Sequence, residues 1–295
     1  MIPFQGIIGH EAIVEVLRRQ VSAGCLAHAY LFVGPEGVGR STVAREFITT
    51  MRGTGLSGSA GDPTYSVARL ADEKTGKLKS AVSVEQIREL RDRLLLTSFS
   101  GERKAAFIED ADWMNEAAAN ALLKTLEEPR GDTTIVLRAE TVESVPATIA
   151  SRCQVLRFHP VADRTIADAL VGRGLDREEA SRVAGLSSGR PGVAIRLVTD
   201  GAYRAERETA AGSFETMMSS SLARRLALVA DLMPKAEADK ATALGKILDA
   251  WEEAARLRLL AGDGRCVRIL DRLRESREAM ERNISPQLAL EHVVL

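Results

Sequence analysis

Cysteine is scarce in this chain: three residues, Cys25, Cys153 and Cys266, stand far apart and form no CxxC pair. With only four histidines, also scattered, neither a zinc site nor a disulfide framework is expected. Aromatics make up 4% of residues, too few for the stacking platforms that hold single-stranded nucleic acid. Charge of one sign is also missing. A formal net charge of -1 excludes a globally basic nucleic-acid binder and leaves only a local patch on an assembled surface. No apolar stretch approaches the roughly 20 residues of a membrane span. The opening "MIPFQGIIGHEAIVEV" lacks the basic start and long apolar run of a secretory signal, so a cytoplasmic protein is expected.

What remains is an ordinary globular composition, 45% hydrophobic and 27% charged over 295 residues, enough for two or three domains. From Ile7 to about Arg157, segments of β type alternate with segments of helical type, which predicts a mostly parallel sheet covered by helices. Its strands are expected at 29–34, 104–110, 133–139 and 154–158, with a fifth near 65–71. The stretch from Arg52 to Pro63, rich in Gly and Ser, is expected to be a mobile loop. Strand signals stop after His159 and Pro160, and three short helices follow, broken by "GRGLD" and "SSGRPG". The predicted division is an α/β domain over 1–160, a small helical lid over 161–200 and an all-helical domain over 201–295.

"LFVGPEGVGRST", Leu31 to Thr42, runs a strand into a glycine-rich turn and a helix, the context of a phosphate-binding loop. There Gly34, Gly37 and Gly39 let backbone N–H groups face a phosphate, the helix start adds its positive end, and Ser41 would touch magnesium. The letter expected to be lysine is Arg40, a wide planar fork that crowds the β/γ-phosphate position. Downstream, "KAAFIEDADWM" runs four apolar residues into acids, where a working site wants Asp then Glu. The order here is Glu109 then Asp110. Each carboxylate is thus one methylene from its ideal reach, and a shift of about 1 Å costs on the order of a hundredfold in rate.

Asn115 to Pro129, "NEAAANALLKTLEEP", reads as a helix capped by Asn115, with Ala118, Leu122 and Leu126 on one stripe. Its Lys124, Glu127 and Glu128 form either a solvated face or an interface. "PATIASRCQVLRF" brings Ser151, Arg152 and Cys153 to the start of a strand, where Arg152 is either a surface residue or a finger reaching a neighbour's nucleotide. Arginines 256, 258, 265, 268, 272, 274 and 277 are interleaved with acids, which favours a solvated or subunit-packing face over a DNA patch.

Together these stretches resemble the clamp-loader family of bacterial DNA polymerase III, its delta-prime branch in particular, and more distantly gamma/tau subunits and eukaryotic replication factor C. The resemblance is carried by 7–39, by "SVEQIREL" (83–90), by "DADWMNEAAANALLKTLEEP" (110–129), by "PATIASRC" (146–153) and by "NISPQLALEHVVL" (283–295). It implies a RecA-like AAA+ domain, a helical lid and a helical collar that builds a pentameric ring. It also implies that Arg152, within its Ser151-Arg152-Cys153 triplet, serves ATP bound by an adjacent gamma/tau subunit. The reaction implied is ATP-driven loading of the sliding clamp on primer-template DNA, with delta gripping the clamp. Where family members carry a four-cysteine zinc module, this chain has the Gly/Ser stretch, so no zinc is expected. The first sensor falls on Ala139 or Glu140 and the second on Gly192, with Arg190 offset by two. Four altered parts of one site imply little or no ATPase of its own and no required cofactor, while residual ATP or ADP binding stays open. The rivals are an active gamma/tau-type or branch-migration ATPase, and a scaffold that neither binds nucleotide nor offers a finger.

Overall fold

A computed structural model describes residues 4, 6–51, 64–72, 78–95, 104–128, 132–282 and 284–295. The expected mobile loop at 52–63, the helix stop at Pro129 and Asn283 lie outside these residues. The chain divides into two compact units, Met1–Ala194 and Ile195–Leu295.

The first unit is built on a five-stranded sheet: β1 (Ala29–Val33), β2 (Thr64–Val67), β3 (Lys104–Ile108), β4 (Thr133–Ala139) and β5 (Gln154–Arg157). Every pairing is parallel and the order is β2-β3-β4-β1-β5. Strands covered on both faces read as continuous apolar runs, and all five residues of β1 are buried. Their side chains alternate between two cores. Tyr30, Phe32, Phe107 and Val136 pack with Val43 and Phe47 of α2 (Arg40–Met51) and Leu17 of α1 (Glu11–Ala23). Leu31, Val33, Ile108 and Leu137 pack instead with Ile87 of α3 (Val84–Leu95), Leu122 and Leu126 of α4 (Glu116–Glu127), and Ile149 of α5 (Ala147–Ala150). The fifth strand expected near 65–71 is the edge strand β2.

Helix α4 starts where its sequence says it should. The Asn115 side chain accepts from the Ala118 N–H at 2.8 Å, satisfying one of the donors a helix start leaves unpaired. The unit closes with α6 (Asp163–Val171) and α7 (Arg177–Ser187), and α8 (Pro191–Thr199) begins within it. Asp176 caps α7 through the Glu178 and Glu179 N–H groups, at 3.0 and 3.3 Å.

The second unit holds α9 (Gly201–Ser219), α10 (Leu222–Leu232), α11 (Glu237–Leu260), α12 (Cys266–Glu281) and α13 (Pro286–Val294). Its core centres on Trp251 and Phe214, both fully buried, with Leu248, Leu273 and Leu290. A buried indole needs an acceptor, and Trp251 Nε1–H donates to Ser213 Oγ at 2.8 Å. The interleaved acids of the arginine-rich helices find partners: Arg274 meets Glu278 at 3.5 Å, and Arg277 meets Asp249 and Glu252 at 2.6 and 2.9 Å.

Candidate functional site

In a parallel sheet the loops that follow the strands gather at one edge, and here they bring together the residues singled out in the sequence. The glycine-rich loop follows β1, Glu109 and Asp110 follow β3, and Ala139 and Glu140 close β4. The Gly34 N–H donates to the Glu140 carbonyl at 3.0 Å, tying the loop to the end of β4. Gly34, Gly37 and Gly39 have φ of 151°, 78° and 117°, the backbone form of a phosphate cradle. His10 braces the loop from behind: its Nε2–H donates to the Val38 carbonyl at 2.9 Å and its ring meets Phe158 edge-on.

Arg40 is the first residue of α2 and is buried, 6% exposed. Its Nη1 donates to the carbonyl of Ala139, which with Glu140 is where the first sensor is expected from the sequence. The end of β4 thus presents a backbone acceptor that binds the loop's own arginine. Burial holds the Arg40 pKa below its ordinary value, and the neighbouring Arg138 cation adds to the effect against Glu140, Asp112 and Glu36.

Arg138 was not singled out in the sequence, and it organises the site. One residue before the end of β4, its Nη1 donates to Ser41 Oγ at 2.8 Å. Its Nε donates to the Glu109 carbonyl at 2.6 Å and its Nη2 to Asp110 Oδ1 at 3.1 Å. The second oxygen of Asp110 accepts the Arg69 N–H at 2.9 Å. Glu109 Oε1 accepts from Arg45 at 2.7 Å and from Ser66 Oγ at 2.9 Å. Asp110 thus has both oxygens engaged by groups of the chain itself, and Glu109 has its Oε1 engaged twice. The signal for Arg138 was present: a lone charge in "TTIVLRA", a strand otherwise uncharged and buried on both faces.

Gly192, where the second sensor is expected from the sequence, sits directly on the loop. The Gly192 N–H donates to the Gly37 carbonyl at 2.8 Å. A Cβ built on Gly192 would lie 2.9 Å from that same oxygen, so the approach needs a residue without a side chain. Arg190 turns back on its own turn, its Nε 3.3 Å from the Ser187 carbonyl.

Arg152 lies elsewhere. It ends the turn after α5 and stands just before β5, which runs parallel to β1 with Tyr30 opposite Gln154 and Val33 opposite Arg157. That register puts Arg152 before the N-terminal ends of the strands, whereas the glycine loop follows their C-terminal ends; Gln154, the first residue of β5, already lies about 13 Å from the level of Gly34 along the strand direction at ~3.3 Å per residue. Its Nη1 donates to the Thr148 carbonyl at 2.9 Å and its Nη2 to Glu127 Oε1 at 2.7 Å. The side chains of Arg152 and Glu127 are 36% and 49% exposed. Ser151 Oγ donates to the same carbonyl of Thr148 at 3.1 Å. Cys153 packs against the core beneath, where burial pushes its thiol up to about 12, so it stays neutral and serves as an anchor.

The profile of the family described as "DNA polymerase III, delta subunit" matches residues 9–162, just over half of the chain. The DNA polymerase III subunit delta' of Pseudomonas aeruginosa is 34% identical over 188 residues, covering 58% of this chain and 56% of that protein. Subunit tau of Bacillus subtilis is 29% identical over 178 residues, covering 58% of this chain and 31% of its own length. The chain thus spans between about a third and just over half of the length of these curated relatives. A solved DNA polymerase III gamma subunit-related protein from Thermotoga maritima shares the fold, with a TM-score of 0.51 at 16% identity over 95% of this chain and 97% of that one. No helix among the described residues is long and apolar enough to cross a membrane. With its parallel sheet, its glycine loop and these relatives, the chain belongs to the clamp-loader AAA+ family of DNA polymerase III subunits.

Proposed function

We propose that this chain is a delta-prime-type clamp-loader subunit that hydrolyses no ATP itself and offers Arg152 to ATP held by a neighbouring gamma/tau subunit. In this reading 1–160 and 161–200 keep the form of a nucleotide-binding module and lid. Residues 201–295 form a collar joining it to gamma/tau and delta in a cytoplasmic complex that loads the sliding clamp on primed DNA. Its relatives include delta', gamma and tau subunits, so the choice of delta-prime rests on the site.

The observation that carries the reading is the placement of Arg152 at the end of the sheet opposite its own glycine loop. A guanidinium there does not reach a phosphate in its own chain's loop, so any nucleotide it serves belongs to another subunit. Its partner Glu127 is half exposed, and an exposed pair of this kind holds at most about 1 kcal/mol, little enough for phosphate oxygens to displace. The rival active ATPase would need free carboxylates, and Glu109 and Asp110 are both engaged.

The test is reconstitution with cognate gamma/tau and delta. The complex is expected to form and to hydrolyse ATP in a clamp- and DNA-stimulated manner. Arg152→Ala should leave assembly intact and lower hydrolysis at the served site by roughly a thousandfold or more, about 4 kcal/mol. Unchanged hydrolysis by that variant would remove the finger and leave the scaffold reading.

A further inference from the structure

Magnesium-dependent nucleotide binding asks for oxygen donors open to a small, hard cation, near-octahedral at about 2.0–2.1 Å. By residue type the donors are present: Ser41 after the loop, then Glu109 and Asp110 after β3. By geometry they do not fit a metal. The Arg138 fork already spans Ser41 Oγ, the Glu109 carbonyl and Asp110 Oδ1, at 2.8, 2.6 and 3.1 Å. The remaining Asp110 oxygen faces the Arg69 N–H, and Glu109 Oε1 faces Arg45 and Ser66. This is no loose surface pair, because Arg138 and Asp110 are only 28% and 14% exposed. A dication entering among these oxygens would have to displace a guanidinium from the hydroxyl and the carboxylate it needs, or sit in contact with it.

We propose that Arg138 is this site's built-in cation, standing in the place of magnesium, so that the site neither binds nor uses a magnesium ion. The idea rests on the reading of a retired nucleotide site and adds the reason that site stays retired. Restoring the loop lysine alone would not revive it. Arg40 and Arg138 are separate blocks: one is engaged at the end of β4, the other at the hydroxyl and acids.

The experiment titrates the full chain with a fluorescent ATP analogue in excess magnesium and again in EDTA. The variants are Arg40→Lys, Arg138→Lys and the double Arg40→Lys/Arg138→Met, each first checked for a cooperative melt. Should the methionine variant not fold, Arg138→Gln replaces it. The wild type, Arg40→Lys and Arg138→Lys should each give the same curve in both buffers, since each keeps a positive charge at position 138. In the double variant magnesium should tighten binding about tenfold, equivalent to about 1.4 kcal/mol. A brace with no cation role would not create magnesium dependence when removed. The proposal is overturned if magnesium tightens binding to the wild type or to Arg40→Lys, or if the folded double variant ignores magnesium. Magnesium-dependent binding without hydrolysis would overturn this inference alone. A magnesium-blind site together with unchanged hydrolysis by the complex carrying Arg152→Ala would overturn the proposed function alone.

Discussion

Arg138 and Arg152 belong to the same α/β unit, and their surroundings differ in what they leave available. Arg138 lies inside, with each of its three guanidinium nitrogens donating, to a hydroxyl, a carbonyl and a carboxylate that the fold brings together from α2 and the end of β3. Arg152 stands at the opposite end of the sheet, held by one backbone carbonyl and one half-exposed carboxylate. Removing one partner of a shielded ionic cluster strands the others without solvent, whereas a surface pair exchanges with water at little cost. A cation of the first kind maintains a structure, and one of the second kind can be lent to another molecule.

The contrast breaks first at Arg152. Arg152→Lys keeps the charge but loses the planar fork that matches phosphate oxygens. It should recover little, leaving hydrolysis in the reconstituted complex down by several hundredfold, about 3.5 kcal/mol, on the scale of losing one oriented donor. Wild-type rates with lysine would mean that only a point charge is needed there. Next in size is Arg138→Ala, which takes the shared guanidinium from Asp110 and Ser41 and should lower stability by about 3 kcal/mol in urea unfolding. A change within about 0.5 kcal/mol would mean that the inner cluster is no tighter than a surface pair. Gly192→Ala puts a methyl 2.9 Å from the Gly37 carbonyl and should cost about 1–2 kcal/mol in the same measurement. Smallest is Glu127→Gln, expected to change stability by less than about 1 kcal/mol. A larger loss would show that Arg152 is committed to its own chain after all.

The sequence made the architecture legible wherever one physical rule was sufficient. Strands β1, β3 and β4 declare themselves because both faces are buried, and α4 because Asn115 caps a run of Ala and Leu. The odd letters at 40, 109, 110, 139 and 192 were visible too, each as a departure from what a nucleotide site needs. What the letters could not convey is how the departures fit together. Arg138 pairs with Ser41 and Asp110 only because β3 and β4 run side by side in a register that sets Phe107 against Val136. Ser66 and Arg69 enter the site through the pairing of β2 with β3. Arg40 in sequence is a fork crowding a phosphate, and in the fold it is engaged by the last carbonyl of β4. Gly192 in sequence is a missing arginine, and in the fold it is also the residue that lets the start of α8 touch the glycine loop. Long-range register and backbone approach are tertiary properties, and local patterns do not encode them.

The most direct test is ATP hydrolysis by the purified chain alone with magnesium and ATP in excess. With Ser41, Glu109 and Asp110 engaged by the protein's own arginines and serine, no phosphate release above the buffer rate is predicted. Release at an ordinary AAA+ rate, tracking the chain through purification, would contradict the account at its centre.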